Sequence, residues 1–397
     1  MPRPTEFVPQ ATATADPTLP AWTVLVYMAA DNNLDRAALL NLNEMEAALN
    51  SPDVQVVVQL DRPFDAEWSD TRRYLITPDK DLQAFTTPPV ANLGEANMGD
   101  PETLADFIRW GQLTYPANQT ALIVWNHGRA WQGIAYDDSA SDYLDLLELQ
   151  EGLALASADL ALIGFDACLM GQLELFTAIA PYARVGVASA ELTPGRGWPY
   201  TAILNQLASQ PDVDAAQLSQ IIVGHFGDYY TRTQPDAFTT LTAVDLAALT
   251  AVTNHLSDLT SQLNEELPFH AASLGTARSG AEAYARAYGR EAEQYALVDV
   301  AHFAQILASR SLDEAVQGTA EALRQSVATA VLAHHHGLGL PQSSGLSLYF
   351  PRTAAQYDGS YALQSPLPAW DGFLKAYHLL GSTYSSAPKS PSPPPTP

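Results

Sequence analysis

The sequence predicts an α/β protein with a mostly parallel sheet sandwiched by helices and a mainly helical C-terminal region. Apolar runs alternate with amphipathic stretches up to about residue 250, the order expected when helices connect parallel strands. Several of these runs are apolar throughout, as strands buried on both faces are. Beyond residue 250 the helical spacing of apolar residues prevails.

Short runs rich in Val, Ile, Leu and aromatic residues give the strands. In a parallel sheet the carboxyl ends of the strands share one edge, and ligands bind beyond that edge. The predicted strands are Thr23–Ala29, Val54–Leu60, Arg73–Ile76, Ala121–Trp125, Ile134–Tyr136, Leu162–Phe165 and Val185–Ser189.

Amphipathic stripes between the strands predict helices. Asp31 or Asn32 is placed to cap the first helix, because short polar side chains accept hydrogen bonds from the first turn. Another helix is predicted to open directly after Cys168 and to stop at Pro181. The stripes are Leu34, Ala38, Leu42, Met45 and Leu49 in the first helix, the segments Glu102–Leu113 and Leu146–Ala156, and Leu169, Leu173, Phe176 and Ala180 after the cysteine.

Four parts of the chain are predicted: a disordered N-terminal segment (1–20), the sheet-containing core (21–250), a helical subdomain (251–380) and a Pro-rich disordered tail (381–397). The subdomain is expected to pack on the sheet and to return one strand to the core. Its predicted elements are helices at Leu249–Leu263, Gly280–Ala287, Val298–Ala308 and Leu312–His335 and a strand at Leu346–Phe350.

Composition excludes several classes of protein. The chain has 397 residues, 47% of them hydrophobic, and no apolar run approaches the ~20 residues of a membrane span. Forty-four acidic residues against nineteen basic ones give a formal charge of -25, which repels nucleic acid and anionic lipid. The excess of acidic residues is interpreted as a well-solvated protein surface. Met1 to Pro20 lack the apolar core of a secretory signal, so the chain as given is expected in the cytoplasm, or outside the cell if a precursor was trimmed.

Cys168, the only cysteine, follows the apolar run that ends at Phe165, and His127-Gly128 follows the run that ends at Trp125. Two parallel strands would therefore bring a thiol and an imidazole to one edge of the sheet. A helix opening at Cys168 would lower the thiol pKa. Gly128 lets its backbone N–H approach an oxyanion. A cysteine peptidase site is predicted, against the alternative of a buried apolar cysteine and a His-Gly turn.

Longer motifs carry a family resemblance that covers about residues 21 to 380. The chain resembles the clostripain family of caspase-like cysteine peptidases. The resemblance implies a caspase-like fold and an endopeptidase in which Cys168 attacks the scissile carbonyl, His127 acts as acid and base, and the N–H groups of Gly128 and Cys168 hold the oxyanion. The motifs are Trp22-Thr-Val-Leu-Val-Tyr-Met-Ala-Ala-Asp-Asn-Asn-Leu34, Trp125-Asn-His-Gly128, Asp166-Ala-Cys-Leu-Met170 and Ala188-Ser-Ala-Glu-Leu-Thr-Pro-Gly-Arg-Gly-Trp198, with weaker matches at Thr242-Ala-Val-Asp-Leu246, Gly345-Leu-Ser-Leu-Tyr-Phe-Pro351 and Trp370-Asp-Gly-Phe-Leu374.

The resemblance implies cleavage after Arg or Lys, with Asp166 matching the acid of the family pocket. Asp166 can instead cap the helix expected after Cys168. Glu191 and Thr193 lie where the pocket wall is expected. Arg196 departs from the family pattern, since many relatives carry an aspartate there. Its charge would repel a basic substrate or neutralise Asp166, unless Arg196 faces solvent or pairs with Glu191. The basic preference is therefore predicted, with an altered or neutral one as the alternative.

The turn that carries Asp137, Asp138 and Asp142 is a candidate calcium site, because calcium takes several oxygens from a flexible turn and calcium dependence occurs in the family. A solvated acidic turn is the alternative, and no cofactor is predicted to be required. From residue 130 to residue 183 the chain has no Lys or Arg. Self-cleavage after a basic residue is therefore impossible there, so the enzyme works as one chain or is matured elsewhere.

Other motifs predict no further site. His334-His335-His336 is interpreted as a helix end rather than a metal site, since three adjacent residues on a helix cannot all face one ion. Two classes of function survive: a cysteine endopeptidase acting on a peptide or protein substrate, and a catalytically inert module that binds peptides. The oligomeric state is not predicted.

Overall fold

The structure, a computed structural model, describes residues 15–48, 51–64, 66–81, 83–285 and 295–385. Strands and helices are numbered here in chain order. The strands are β1 (Trp22–Ala29), β2 (Val54–Asp61), β3 (Thr71–Leu75), β4 (Ala91–Gly94), β5 (Gln119–Trp125), β6 (Ile134–Asp137), β7 (Asp142–Leu144), β8 (Leu160–Asp166), β9 (Ala183–Ala188), β10 (Thr240–Asp245), β11 (Leu297–Asp299), β12 (Val331–His336) and β13 (Ser347–Tyr349).

Helices connect most of these strands, and they include a short π-helix at Tyr229–Thr233 and a 3-10 turn at Ala354–Gln356. The α-helices are α1 (Asp35–Glu46), α2 (Pro101–Thr114), α3 (Leu146–Leu155), α4 (Leu173–Ile179), α5 (Tyr200–Ser209), α6 (Ala215–Asp228), α7 (Leu249–Glu265), α8 (Leu267–Gly280), α9 (Val300–Arg310), α10 (Glu314–Ala330), α11 (Tyr361–Gln364) and α12 (Pro368–Ser385). In the part of the chain that is described, no helix is both long enough and apolar enough to cross a bilayer.

A large sheet organises the molecule. In the described residues nine strands pair in the order β12-β10-β9-β8-β5-β1-β2-β3-β4. The five central strands, β9, β8, β5, β1 and β2, are parallel, and antiparallel strands complete both edges. All eight residues of β1 are buried, which explains why seven of them are apolar and only Thr23 is polar. The predicted α/β class with a mostly parallel sheet is confirmed.

Alternate residues of β1 point into two separate hydrophobic clusters, as the two-residue period of a strand requires. Val24, Val26 and Met28 pack with the apolar faces of α1, α5 and α6. Leu25 and Tyr27 pack with α2, α3 and α4 and also with the helices beyond residue 250. The sheet is therefore covered by helices on both faces, and the C-terminal region shares the core of one face.

The C-terminal region corrects two predicted elements. The helix predicted over Leu312–His335 ends at Ala330, and its last residues form β12, which pairs with β10 at the edge of the large sheet. The imidazole of His334 shares a hydrogen bond with Thr242 on β10 at 2.8 Å, an edge-strand contact that helical spacing cannot reveal. The strand predicted at Leu346–Phe350 forms β13, but it pairs with β11 in a two-stranded sheet. The strand that returns to the core is thus β12.

Smaller corrections concern the ends of elements. The helix predicted at Gly280–Ala287 is wrong over its described part, since Gly280 ends α8 and Ala283 forms a bridge with Val298. Residues 1–14 and 386–397 of the predicted disordered segments lie outside the described residues. Asp16 is not disordered, because its backbone exchanges hydrogen bonds with the Asn118 side chain. The helix α12 continues into the predicted tail as far as Ser385.

Candidate active site

His127 and Cys168 follow the carboxyl ends of the neighbouring parallel strands β5 and β8. Trp125 and Asp166 are opposite each other at the end of the ladder, and each chain then continues for two residues to reach His127 or Cys168. A Cβ added to Gly128 would overlap the carbonyl oxygen of Cys168, so the two backbones touch just beyond the strands. Both side chains are half-buried. The structure therefore brings the predicted imidazole and thiol to one solvent-reachable edge.

The imidazole of His127 is oriented by Asn33, which lies in the loop after β1. Its Nε2 is 2.7 Å from the Asn33 Oδ1. An amide oxygen only accepts hydrogen bonds, so the proton resides on Nε2 and Nδ1 keeps a lone pair. Burial lowers the pKa of His127, and the charge of Asp138 opposes that shift. The imidazole is thus neutral and ready to accept a proton at Nδ1.

Cys168 lies in a tight turn and not at the start of a helix. Leu169 has a φ of +64°, and α4 begins only at Leu173. The predicted helix opening at Cys168 is therefore wrong, and so is the lowered thiol pKa inferred from it. Burial, with the charges of Asp166 and Glu191 added, raises the pKa of Cys168 to about 11. The neutral thiol lies 3.7 Å from the carbonyl oxygen of Thr193, to which it donates.

Two backbone donors at this edge are free. Within the described part of the chain, neither the N–H of Gly128 nor that of Cys168 donates a hydrogen bond, although Leu169 N–H donates to the carbonyl of Glu191. Unpaired N–H groups are the donors that an oxyanion needs, and they cost free energy when nothing occupies them. The two predicted oxyanion donors are thus available beside the thiol.

Asp166 is buried, and burial raises its pKa to about 7. Its Oδ2 accepts hydrogen bonds from the Trp198 N–H and the Tyr200 hydroxyl, both at 3.0 Å. The alternative that Asp166 caps the helix after Cys168 is therefore wrong. Its Oδ1 is also buried and has no partner in the described residues. A ligand donor that reached this buried oxygen would find it unpaired.

Thr193 and Glu191 hold the loop after β9 in place. The Thr193 hydroxyl donates to the Ala167 carbonyl at 3.0 Å, which ties this loop to the turn of the cysteine. The carboxylate of Glu191 is buried and accepts hydrogen bonds from the N–H groups of Leu192 and Ala285. Their role as a pocket wall stays a prediction, because these contacts position backbone.

Arg196 pairs with a residue that the sequence analysis did not consider. Its guanidinium is 3.6 Å from the Glu44 carboxylate on α1, so the suggested pair with Glu191 is wrong. The side chain of Arg196 is half exposed, and it also hydrogen-bonds to Tyr229. The charge that acts on the pKa of Asp166 is that of Glu44. Arg196 therefore does not neutralise Asp166.

The acidic turn divides into an inward and an outward part. Asp137 is buried and lies with Asp31, Asp61 and Glu95, one carboxylate oxygen of each being within 4.8 Å of the others. Asp138 is exposed and lies outside this group. Asp142 also lies outside it and accepts a hydrogen bond from Asn97 at 2.6 Å. The structure thus places the Asp137 carboxyl group with residues of other segments and not with Asp138 and Asp142, although Asp142 is its partner in the β6–β7 ladder.

Sequence reasoning missed three residues whose side chains hold parts of the site in place: Asn33, Glu44 and Asp31. Asp31 and Asn32 were expected to cap α1, yet the helix begins at Asp35 without a side-chain cap. Asp31 accepts a hydrogen bond from the Ser139 N–H. The available signal was the run of three polar residues directly after β1, at the same sheet edge as His127.

Comparison with known proteins finds one related sequence and several solved structures of similar fold. Clostripain of Hathewaya histolytica is 30% identical over 220 residues, which are 47% of this chain and 42% of that protein, so the chain matches about two fifths of its relative's length. A secreted C11 cysteine protease from Bacteroides thetaiotaomicron, solved with an irreversible peptide inhibitor, has a TM-score of 0.67 and 18% identity. The similarity covers 89% of this chain and 99% of that one.

An inactive zymogen C11 protease from Parabacteroides distasonis has a TM-score of 0.64 and 21% identity, covering 91% of this chain and 96% of that one. At these identities the two structures support the fold. The model of the clostripain family matches residues 26–363, which is most of the sequence. This chain belongs to the clostripain family of cysteine peptidases.

Proposed function

We propose that this protein is a cysteine endopeptidase that cleaves after Arg or Lys, with Cys168 as nucleophile and His127 as acid and base. The observation that carries the proposal is the placement of His127 and Cys168 at the ends of β5 and β8, beside the free N–H groups of Gly128 and Cys168. A nucleophile, a proton acceptor and two oxyanion donors are the parts that acyl transfer needs.

The mechanism follows from the protonation states. The thiol is neutral, so its proton passes to Nδ1 of His127 as Sγ attacks the scissile carbonyl carbon. The resulting oxyanion accepts hydrogen bonds from the two N–H groups. His127 then gives the proton to the leaving amine, the carbon–nitrogen bond breaks, and an acyl-enzyme remains. Water attacks this ester of the thiol, His127 takes a proton from the water and returns it to Sγ, and the acid departs.

The substrate preference rests on the free Oδ1 of Asp166. A carboxylate oxygen that is buried without a partner gains most from a cation, and a guanidinium or ammonium supplies one with matching donors. Arg196 does not oppose this assignment, since its charge is matched by Glu44. A neutral or altered preference would follow if Asp166 were protonated when the substrate binds, since its pKa is raised to about 7, or were neutralised by another group of the protein.

The inert peptide-binding alternative has no observation in its favour, because each group that catalysis needs is present at the edge. The segment between β5 and β8 is folded into the hairpin of β6 and β7 and into α3, and it contains no Lys or Arg after Arg129. We infer that the enzyme is not cut there after a basic residue. Of the two locations open from the sequence, the similarity to a secreted protease favours the extracellular one.

Cleavage profiling tests activity and preference together. A mixed peptide library is digested with the wild type, with Cys168→Ala and with Asp166→Asn, and the new termini are identified. We expect cuts after Arg and Lys with the wild type, none with Cys168→Ala, and a reduced basic preference with Asp166→Asn. Cleavage by Cys168→Ala at the wild-type rate would refute the nucleophile, and an unchanged preference of Asp166→Asn would refute the pocket.

A further inference from the structure

A cluster of basic side chains lies in the C-terminal region, between α8, α12 and the segment that follows β13. Arg278 is in the last turn of α8, Arg352 follows β13 by three residues, and His378 is on α12. The Nε of Arg278 donates to the carbonyl of Phe350, and its guanidinium lies 5.5 Å from the centre of the Phe350 ring. The ring of Tyr377 on α12 lies 5.6 Å from the same ring. Phe350 therefore holds the three elements together.

Arg278 is a buried cation without an anionic partner. Only 6% of the residue is exposed. In the part of the chain that the structure describes, its guanidinium forms no ion pair, and the acid of α12, Asp371, pairs with Lys375 at 2.7 Å. Burial, followed by the charge of Arg352, lowers the pKa of Arg278 to about 10, so the side chain stays charged at neutral pH. A buried charge without a counter-ion is costly, which points to an anion that binds beside it.

Hydrogen-bond donors at the base of the cluster remain unused. The carbonyl of Phe350 occupies the Nε of Arg278, whereas neither Nη atom has a partner among the described residues. Neither Nη atom is fully enclosed, so a ligand can reach both. His378 is 7% exposed, and its Nε2 is buried without a partner in the same part of the chain. Burial, followed by the charge of Arg278, lowers the pKa of His378, so its imidazole is neutral and can donate one hydrogen bond.

Arg352 and Tyr377 form the outer part of the cluster. Arg352 is exposed and has no ion pair within the described ranges, and its charge acts on Arg278. The charge of Arg278 acts in turn on Tyr377, whose hydroxyl has no hydrogen bond to the described residues. Two positive charges thus lie close together without an acid, although the whole chain carries a formal charge of -25. An anion between them would remove their repulsion and accept the free donors.

We propose that Arg278, Arg352, Tyr377 and His378 form a binding site for one phosphate group, carried by free phosphate or by a phosphate monoester. The fork of a guanidinium matches two phosphate oxygens. At pH 7 a phosphate monoester carries about -1.5 to -2 charges and cancels both guanidinium charges, whereas a carboxylate cancels one. A tetrahedral phosphate also directs oxygens towards groups on three elements, while the two oxygens of a carboxylate share a plane. The site uses no residue of the proposed active site.

Direct binding tests the site without any catalytic readout. Inorganic phosphate is titrated by calorimetry into the full chain, with the ionic strength held constant by NaCl, and we expect one ion per chain. Arg352→Gln removes an exposed charge, so it should fold normally and bind phosphate about tenfold or more weakly. Arg278→Met keeps the apolar part of the side chain and should abolish measurable binding. Should Arg278→Met fail to fold, Arg352→Gln alone decides the test.

Arg310→Gln is the matched control, because it removes the same charge from an exposed residue of the same region, at the end of α9. Its affinity should stay within about twofold of the wild type. Phosphate also raises the Tm of every variant by its exclusion from protein surfaces, so the wild type and Arg310→Gln should share an additional rise that Arg352→Gln lacks. Absence of binding by the wild type, unchanged binding in Arg352→Gln, or equal loss in Arg310→Gln would overturn the site.

Two further probes identify the source and the charge of the ligand. Glycerol 2-phosphate that binds as tightly as inorganic phosphate would support a site for phosphate monoesters, and binding of inorganic phosphate alone would support a site for the free ion. Acetate carries one charge and two coplanar oxygens. Acetate that binds as tightly as phosphate at the same ionic strength would contradict the assignment to a phosphate group.

Discussion

Replacing Gly128 by alanine perturbs a close backbone contact between the segments that carry His127 and Cys168. The new Cβ would overlap the carbonyl oxygen of Cys168 and would lie 2.9 Å from Sδ of Met170. The flexible Met170 side chain can move away, but the carbonyl belongs to the backbone that carries the nucleophile. The two strand ends must then separate by roughly 1 Å to restore normal contact.

That separation moves the N–H of Gly128 away from the oxyanion and Nδ1 away from the thiol. Loss of one oxyanion donor costs about 10²–10³ in kcat, or about 2.7–4 kcal/mol of transition-state stabilisation. A displacement of about 1 Å alone can cost about 10²-fold. We therefore expect kcat/KM of Gly128→Ala to fall by about 10²–10³, with a loss of about 1–3 kcal/mol in the free energy of unfolding from overpacking.

Initial rates on a fluorogenic peptide ending in Arg measure kcat/KM, and urea unfolding measures the free energy of unfolding. Gly224→Ala is the matched control: Gly224 is an exposed residue of α6 whose added Cβ meets no atom within 4 Å. That variant should keep full activity and gain up to about 1 kcal/mol of stability from helix propensity. Wild-type kcat/KM in a folded Gly128→Ala would refute the oxyanion assignment and the close packing it depends on.

Three further outcomes follow from the same structure. The raised pKa of Cys168 means that alkylation by iodoacetamide should accelerate as pH rises toward about 11; a plateau near neutral pH would show that the thiolate already exists there. Asn33→Ala should lower kcat/KM roughly tenfold to a hundredfold by freeing the imidazole. Asn33→Asp should recover activity and shift the acid limb of the pH–rate profile to higher pH, because its charge favours the imidazolium; unchanged profiles in both variants would exclude the orienting role. Burial raises the pKa of Glu174 to about 7. Its folded pKa exceeds the unfolded one, so stability is greatest below the unfolded pKa and falls as pH rises to about 7, by on the order of 3 kcal/mol. Glu174→Gln should therefore unfold with a smaller difference between about pH 5.5 and pH 8.5, measured by urea titration, and an equal difference would contradict the burial argument.

The elements that the sequence predicted well are those whose burial is uniform. The strands β1, β5 and β8 are apolar and buried over most of their length, and their observed bounds differ from the predicted ones by two residues or fewer at each end. Their parallel pairing follows from helices between them, and the pairing puts His127 and Cys168 at one edge. The placement of the two proposed catalytic residues therefore needed only local patterns and one topological rule.

The elements that sequence patterns missed depend on contacts between distant segments. Residues 331–336 were interpreted as the end of a helix, and only pairing with β10 makes them a strand. Cys168 was expected at a helix start, because the apolar spacing of Leu169, Leu173 and Phe176 is helical. The turn at Leu169 is set by hydrogen bonds of its N–H to Glu191 and of Gly171 to Ser189 on the neighbouring loop. Local spacing contains no information on such contacts.

The carboxylate oxygens that remain unpaired were the least predictable part of the site. Asp166 was recognised from its motif, but its free Oδ1 follows from Trp198 and Tyr200, which occupy the other oxygen. The partner of Arg196 lies on α1, about 150 residues away in sequence. The carboxyl groups of Asp31, Asp61, Glu95 and Asp137 meet from four separate segments of the chain. In each case the sequence supplied the residue types, and the tertiary structure decided which atoms stay unpaired.

One physical relation joins the substrate pocket to the nucleophile. After burial, the negative charge of Asp166 is among the causes that raise the thiol pKa of Cys168, so the residue proposed to bind a basic substrate also disfavours the thiolate in the free enzyme. An Arg or Lys side chain paired with Asp166 would cancel that charge and lower the cost of forming the thiolate. The binding free energy of a basic side chain is then expressed partly in the transition state, where the sulfur carries charge, and so raises kcat as well as affinity.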